Sequence, residues 1–331
     1  MSQVTSVDPY AAAQEHSIVC AEIDLGLLEF AGPDAAAFLH SQLSSDVTAL
    51  SEGRTQLSSY NSPKGRILAN LYVWRAGPDR FRALVAADLS DTLRRRLSLF
   101  VLRAKVTITD LSAVTTLLGV AGPRANESLR EALNLAPGPG EVAGDDQLAA
   151  VSLPGRRFVV VTPAANDANV TKQLAAHASG AASSVWRWLG IRAGVPLIDS
   201  ATQDLFVAQT TNWDVLGGVS FEKGCYPGQE IVARMQYLGR LKERLQLFHV
   251  DADSIAPGTK LYGSAFGDQA CGTIVNAAPA PAGGSDLLAV VQLAALATPP
   301  LHAAAPAGPE LTPLQLPYAL PDAAVPRRHV F

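Results

Sequence analysis

The hydrophobic and polar positions of this chain follow a pattern that occurs twice, at an offset of 90 residues. An apolar run at 27–31 ends in Gly32 and Pro33 and is followed by apolar positions four residues apart, and the same order returns from residue 117. A Gly-Pro pair ends a strand and begins a helix, because proline in the first helical turn lacks only an N–H that would have no partner there. Apolar positions four apart line one helical face. Each copy therefore predicts a strand, a turn and a helix.

A hairpin, a second helix and a closing strand are predicted after each copy. These four elements are 68–75, 80–86, 89–100 and 106–111 after the first copy, and 148–153, 157–162, 165–177 and 194–198 after the second. The resulting β-α-β-β-α-β order, used twice, predicts two ferredoxin-like subdomains at about 24–112 and 113–200. The Pro/Gly-rich stretch 136–146 is predicted to be a surface loop of the second subdomain. Chance similarity of two generic strand-turn-helix pieces is the alternative, and eight matched positions in register argue against it.

A different pattern begins near Gly239 and Arg240, beyond which strands alternate with Pro, Gly and Ala turns. The predicted strands are 244–250, 259–262, 271–276, 287–293 and 311–316. Short strands at this spacing predict a small β-barrel or sandwich over 240–331. The tail from Thr298 is rich in proline and alanine, and we expect its last residues to be loosely held. The predicted fold class is therefore α+β, with two ferredoxin-like subdomains in 1–239 and a small C-terminal β-barrel.

Composition and charge exclude several classes of protein. The chain has 331 residues with 48% hydrophobic content, enough for a sizeable core, and its net charge of -4 argues against a nucleic-acid partner held by a broad basic field. Its three cysteines form no C-x-x-C pair and its six histidines show no metal spacing, so neither a disulfide framework nor a bound metal is expected. No secretory leader and no apolar run of about 18 residues is present, so we predict a cytoplasmic protein without a membrane partner.

The strongest candidate for chemistry is the octapeptide KGCYPGQE at residues 223–230. It places Cys225 behind Lys223 and ahead of a predicted helix at 229–236. A cation and a helix N-terminus both favour the thiolate, which is the reactive form of cysteine. The alternative is a tight turn whose small thiol simply packs, and the octapeptide by itself leaves both readings open. No histidine lies within about 20 residues of Cys225, so nothing nominates a base for a cysteine hydrolase.

Two further stretches have possible functional roles. Residues 60–66 (YNSPKGR) form a predicted turn that brings two cations to the start of an apolar strand, and an ordinary hairpin turn is an equal alternative. Residues 185–196 (VWRWLGIRAGVP) place two tryptophans and two arginines in a short helix. Tryptophan offers a platform for a flat heterocycle, although a single tryptophan is more often a core anchor.

The octapeptide resembles the signature of the YgfZ family of folate-binding proteins. Upstream, Gln209-x-Thr211-Asn212 and the run 216–221 (LGGVSF) belong to the same resemblance, which extends from about residue 24 to 239 and more weakly through the barrel. The family is related to the glycine-cleavage T-protein and assists iron–sulfur cluster synthesis and repair. The resemblance implies a T-protein-like ring arrangement, with two ferredoxin-like subdomains and a β-barrel around a central hole that holds tetrahydrofolate. Within residues 1–239, it marks 205–239 as the cysteine motif segment.

The resemblance also implies site residues. Cys225 falls on the family's signature cysteine and is the candidate redox or transfer thiol, with Lys223 beside it. Trp186 matches a tryptophan associated with folate binding, and the turn residues match an N/D-x-x-K-G-K/R turn that faces the central cavity. The candidate folate-binding residues are Trp186, Asn61, Lys64, Arg66, Gln209, Asn212, Tyr226, Gln229, Glu230 and Arg192.

Four positions depart from the patterns of the family and its nearest enzyme. Leu25 stands where some members have a second tryptophan, and Arg192 stands where a glutamate would accept hydrogen bonds from the pterin edge, which arginine cannot do. The T-protein aminomethyltransferase has acidic residues where this chain has Ala69 and Asn70, and neither can act as a general base.

The prediction is a tetrahydrofolate-binding accessory protein of iron–sulfur cluster synthesis or repair, in which Cys225 makes a redox or persulfide contact with a client. The expected partners are folate and iron–sulfur client enzymes or carriers, and the protein is expected to be a monomer. The alternative is a folate-dependent one-carbon transferase, so whether the protein is an enzyme stays open.

Overall fold

The computed structural model describes residues 8–237 and 241–321, which form eight α-helices and seventeen strands within those ranges. The helices are α1 (Pro9–Glu15), α2 (Ala35–Gln42), α3 (Ser90–Ser98), α4 (Ala125–Leu133), α5 (Asp167–Ala175), α6 (Ser183–Arg192), α7 (Gln229–Tyr237) and α8 (Leu293–Leu296). The strands of the first two sheets are β1 (Ile18–Cys20), β2 (Leu25–Ala31), β3 (Thr55–Asn61), β4 (Ile67–Gly77), β5 (Arg80–Ala86), β6 (Thr107–Asp110), β7 (Thr115–Ala121), β8 (Val142–Gly144), β9 (Ala149–Leu153), β10 (Arg157–Pro163) and β11 (Ser179–Gly180). The remaining strands are β12 (Glu243–Val250), β13 (Lys260–Gly263), β14 (Ala270–Pro279), β15 (Ser285–Gln292), β16 (Leu301–Ala303) and β17 (Glu310–Leu314).

The first repeat forms a five-stranded antiparallel sheet in the order β3-β4-β5-β2-β6. Without β3, this is the order of a ferredoxin-like sheet, in which the two hairpin strands lie to one side of the first strand and the last strand to the other. Leucine and phenylalanine side chains such as Phe30, Leu39, Leu71 and Leu93 fill the core of this unit. The edge strand β3 was not predicted, because residues 60–66 look like an isolated turn in sequence, whereas they are the end of a β3–β4 hairpin.

The second repeat has the sheet order β11-β1-β7-β10-β9-β8, and its closing strand is not the predicted one. The prediction of a strand at 194–198 is wrong. Two backbone N–H groups there donate to side chains of other elements, Leu197 to Asn276 and Ile198 to Asn70, so they take no part in a strand ladder. The place beside β7 is taken by β1 from the N-terminal region, antiparallel to β7 and parallel to β11. The predicted loop 136–146 contains the short strand β8, paired with β9.

The C-terminal strands close into a barrel in the order β12-β15-β14-β13-β16-β17. Strand β16 was not predicted, and together with β17 it makes part of the Pro/Ala-rich tail a component of the barrel wall. Tyr318, just beyond β17, donates its hydroxyl to the carbonyl of Gly194 at 2.7 Å. The predicted boundary at Gly239 and Arg240 and the last residues of the tail, 322–331, lie outside the described residues.

The largest apolar cluster lies where the two repeats and the barrel meet. It joins Leu27 of the first repeat, Val151 of the second, Trp186 of α6 and Leu288 of the barrel. A buried hydrogen bond of 2.8 Å from the Trp188 indole to Asp286 also fixes α6 to the barrel. The predicted α+β class, with two ferredoxin-like units and a closed C-terminal barrel, is confirmed.

Candidate functional site

A cavity of about 360 Å³ opens between the two repeats and the barrel, and Trp186 is part of its wall. Strands β2 and β4 of the first repeat, residues around β9 and β10 of the second, helix α6 and strand β14 all contribute to its lining. We call this the Trp186 cavity. Its volume falls within the range of small-molecule sites, and such sites occur preferentially where domains meet.

Two glycines make room for the side chains of this wall. A Cβ on Gly119, in β7, would lie 2.7 Å from Cε3 of Trp186, and a Cβ on Gly190, in α6, would lie 2.9 Å from Nη1 of Arg157. Real Cβ atoms essentially never approach so closely, so a side chain at either position would require Trp186 or the end of the Arg157 side chain to shift. The guanidinium of Arg157 lies over the Trp186 ring, 5.2 Å from its centroid. Arg157 and Trp186 therefore form one continuous wall.

Arg157 was not singled out in the sequence, yet it is the most deeply buried cation of the cavity wall. It is 6% exposed, and its Nε donates to the Pro154 carbonyl at 3.1 Å. Burial lowers the pKa of its guanidinium. The sequence around it, Pro154-Gly155-Arg156-Arg157, looks like a solvated turn, and only the packing of α6 over β10 brings it inside.

Three carboxylates, those of Asp24, Asp88 and Asp199, line the same cavity. Asp24 accepts two hydrogen bonds from Arg187, one of them at 2.8 Å, so these two charges offset each other. Asp199 uses Oδ1 for bonds to residues 201 and 202, and burial, reinforced by the charge of Asp88, raises the pKa of its carboxyl. The cavity thus presents hydrogen-bond acceptors as well as donors to a ligand.

Cys225 lies outside this cavity, as an exposed free thiol four residues before α7. The segment 223–230, which we call the cysteine segment, is docked on the turn of the β3–β4 hairpin. Gly228 has a positive φ of 78°, and a Cβ there would lie 2.5 Å from the Ser62 carbonyl oxygen and 2.6 Å from Cα of Gly65. The two motifs that the sequence placed far apart, 60–66 and 223–230, are therefore in direct backbone contact.

Lys223 points into the protein. It is 8% exposed, and its amine donates to the carbonyls of His40 and, at 2.6 Å, Leu43, at the C-terminal end of α2. A cation at this end of a helix satisfies carbonyls that have no partner within the helix. Its Nζ also lies 5.1 Å from the ring centroid of Tyr226. Lys223 thus fixes the cysteine segment to α2, so its amine is already engaged by these carbonyls.

The burial of Lys223 should make stability depend on pH. Burial lowers the pKa of its amine to about 8 from an ordinary value of 10.5, so the unfolded chain binds more protons than the folded protein between those pH values. The free energy of unfolding of the wild type should therefore rise with pH across this window relative to that of Lys223→Met. We expect the free energy of unfolding of the wild type to gain on the order of 1 kcal/mol relative to the variant, because the two carbonyl acceptors offset part of the cost of burying the charged amine.

Urea unfolding of both proteins from pH 7.5 to 10 measures this difference. Lys172→Met, on the surface-facing part of α5, serves as the control for removal of an ordinary lysine charge. A difference in the free energy of unfolding between wild type and Lys223→Met that stays constant from pH 7.5 to 10 would contradict the interpretation that the amine is buried.

Buried polar atoms without partners are concentrated in the predicted site residues. Among the described residues, neither amide atom of Asn61 has a hydrogen-bond partner, nor do Oε1 of Gln209 and the hydroxyl of Tyr226. All three side chains are at most 6% exposed, and burial raises the pKa of Tyr226 to about 12. Asn212 differs, because its amide already has partners in the Leu245 carbonyl, Tyr318 and Arg244.

The other predicted residues lie on the surface. Lys64 and Arg66 are exposed, and Arg66 donates to the Leu205 carbonyl at 2.6 Å. Gln229 and Glu230 begin α7, and Glu230 pairs with Arg234 at 3.4 Å. Of all the predicted folate-binding residues, Trp186 alone is among the described residues that line the Trp186 cavity.

Arg192 is likewise turned away from this cavity. Its guanidinium lies 3.5 Å from the buried carboxylate of Asp286 in the barrel. Arg192, one of the candidate folate-binding residues, is not among the described residues that line the cavity, whereas Leu25 does line it.

Asn70, one of the two residues expected to replace acids of the T-protein pattern, is committed to the fold. Its Nδ2 donates to the Pro196 carbonyl at 2.7 Å and its Oδ1 accepts from the Ile198 N–H at 2.8 Å. Both bonds hold the segment that follows α6. Within 8–237 and 241–321, moreover, no three potential ligand side chains gather as a metal site would need. In the same ranges no helix has the length and apolar character required to cross a bilayer.

Comparison with known proteins places this fold in a class. Residues 5–137 match the family model of the GCVT N-terminal domain. The crystal structure of the glycine cleavage system aminomethyltransferase T from Bartonella henselae aligns with a TM-score of 0.75 and 16% sequence identity, over 92% of this chain and 87% of that chain. The protein therefore has the T-protein (GCVT) fold, as predicted.

Sequence relatives narrow the class to a family. The tRNA-modifying protein YgfZ of Cronobacter sakazakii (strain ATCC BAA-894) is 35% identical over 240 residues, which are 72% of each chain. That of Pectobacterium carotovorum subsp. carotovorum (strain PC1) is 34% identical over 244 residues, again 72% of each chain. The chain belongs to the YgfZ family, which confirms the resemblance found in its sequence.

Proposed function

We propose that this protein binds a reduced folate in the Trp186 cavity and acts as an accessory protein of iron–sulfur cluster synthesis or repair. The observation that supports the folate is the cavity itself, which combines an aromatic wall with both hydrogen-bond donors and acceptors. The pterin of folate is a flat ring with an oxo acceptor and an amino donor edge, so it needs a wall of this kind.

The side chains present fit such a ligand. Gly119 and Gly190 leave space that a Cβ would fill, so the guanidinium can lie over the indole within the cavity wall. Asp88 and Asp199 supply acceptors for the donor edge of a pterin, a role for which Arg192 is unsuited. A bound folate would supply one-carbon or redox chemistry; the protein residues bind it, orient it and shield it from water.

Aminomethyl transfer is disfavoured by the position of Asn70. Its amide is consumed by two hydrogen bonds to the chain at 196 and 198, and its neighbour is Ala69. Neither side chain can take up a proton at neutral pH. We therefore propose a binding and accessory role in preference to one-carbon transfer.

Cys225 is the proposed point of contact with the client. Its thiol is exposed, whereas Cys20 and Cys271 are buried, and burial raises the pKa of Cys20 to about 11. Only Cys225 can therefore approach a cluster or a persulfide carried by another protein. The name of the relatives, tRNA-modifying protein, favours an iron–sulfur client that acts on tRNA.

A fluorescence titration with tetrahydrofolate tests the folate site. The wild type has four tryptophans, and binding beside Trp186 should change the emission saturably, whereas Trp186→Phe should lose most of that change and bind about tenfold more weakly. Trp74→Phe, at a buried tryptophan that does not line the cavity, is the matched control. Calorimetry that detects no heat with the folded wild type would refute folate binding.

A further inference from the structure

We propose that Arg157 is the residue that recognises the oxo group of the bound heterocycle, so that it selects 4-oxo over 4-amino pterins. This inference rests on the proposed folate site. It adds a contact that determines which edge of the heterocycle faces Arg157.

The charge of Arg157 has no carboxylate to offset it. Within the described residues, no aspartate or glutamate oxygen lies within 4.0 Å of its guanidinium, although the side chain is 6% exposed. Buried charges are normally paired, because an uncompensated ion in a protein interior is costly. The other cation of the cavity wall, Arg187, shows the contrast, since it pairs with Asp24 and is half exposed. A buried cation that faces a cavity without a counter-charge is suited to a ligand that brings an acceptor.

The orientation of Arg157 is fixed before a ligand arrives. Its Nε is held by the Pro154 carbonyl, its guanidinium carbon lies over the Trp186 ring, and Gly190 leaves room for Nη1. Tyr72 lines the same cavity. A guanidinium held in this way offers its remaining N–H groups in one plane.

The polarity of Arg157 selects the edge of the ligand. Arginine has donors and no acceptor, so it can hydrogen-bond the 4-oxo oxygen of a pterin but meets a clash of donors at the 4-amino group of an analogue. A site built to bond one such group rejects the analogue that lacks it, because its own polar group is then left unpaired in the interior. The amino edge of the pterin is left for the carboxylates of Asp88 and Asp199.

The test compares three ligands by calorimetry: tetrahydrofolate, its 4-amino analogue tetrahydroaminopterin, and 6-methyltetrahydropterin, which has no glutamate tail. The wild type should prefer tetrahydrofolate to the 4-amino analogue by about tenfold or more, the usual worth of a hydrogen bond to a charged group. Arg157→Gln should weaken the binding of tetrahydrofolate and of 6-methyltetrahydropterin by similar factors. It should also reduce the preference for tetrahydrofolate over the 4-amino analogue to about threefold or less, because glutamine can also accept a hydrogen bond. Arg157→Lys, which keeps the charge, should retain part of the preference.

Each other result has a distinct meaning. Equal wild-type affinity for the oxo and amino ligands overturns the inference without any variant, and this measurement stands even if Arg157→Gln folds poorly. A loss in Arg157→Gln for tetrahydrofolate but not for 6-methyltetrahydropterin would assign Arg157 to the glutamate tail and also overturn it. A folded wild type that binds none of the three ligands instead refutes the proposed folate site itself.

Discussion

Replacing Cys225 by alanine is expected to abolish support of the iron–sulfur client while leaving the protein folded. The thiol is exposed, so its removal costs no packing, and surface substitutions of this kind usually change stability by less than about 0.5 kcal/mol. The proposed contact with the client, in contrast, depends on the sulfur atom. The measurement is the activity of iron–sulfur enzymes in cells that carry Cys225→Ala as their only copy, together with the melting temperature of the purified variant.

The other two cysteines provide the controls. Cys271→Ala removes a thiol that is 1% exposed and should leave client activity in place apart from a modest loss of stability. Alkylation of the folded wild type should modify one thiol, and alkylation of the unfolded chain should modify three. Full client activity with Cys225→Ala would remove the cysteine from the mechanism and leave the folate site unaffected.

Replacing Gly228 by alanine is expected to destabilise the protein by about 2–4 kcal/mol, the largest structural effect we predict for a single methyl group. The new Cβ would meet three backbone atoms of residues 62–65 at 2.5 to 2.8 Å, none of which can move as a flexible side chain could. The residue must also keep a positive φ of 78°, which costs about 1–2 kcal/mol for any residue with a Cβ. Urea unfolding measures the change in the free energy of unfolding.

Gly217→Ala separates the steric contribution of the new Cβ from the cost of the positive φ. Gly217 has nearly the same φ, 80°, but a Cβ there would meet no atom within 4 Å, so this variant should lose only about 1 kcal/mol. The difference between the two variants is the cost of separating the cysteine segment from the hairpin. Equal losses at both positions would show that this contact is not tight in solution.

The local pattern of the sequence was sufficient for most of the fold. The repeat at an offset of 90 is matched by β2 and β7, which begin at Leu25 and Thr115, and by the helices that follow them. Such elements are set by the chain within about ten residues, through glycine, proline and the spacing of leucines. The closing strand of the second repeat was not predictable in this way, because β1 has three residues and its partners are far along the chain.

The sequence predicted the residues of the candidate site better than it predicted their positions relative to one another. The resemblance nominated the polar residues Asn61, Gln209 and Tyr226, and the structure leaves atoms of all three buried without partners. The resemblance did not show that Trp186 lies apart from these three residues, in the wall of the Trp186 cavity. Arg157 gave no signal, because an arginine after a Pro-Gly turn looks exposed until α6 is packed over it. Burial of a charge depends on tertiary contacts, and a single sequence does not encode them locally.

The position of β1 between β7 and β11 has a consequence for synthesis of the chain. The ribosome synthesises β1 about a hundred residues before β7, the strand with which β1 pairs. At usual elongation rates this separation corresponds to a delay of roughly 5 to 20 seconds. The whole first repeat can fold in that interval while the strand ahead of it waits for a sheet that does not yet exist. The two halves are consequently not separable modules, since a cut between them would leave the later half without a strand made at the very beginning.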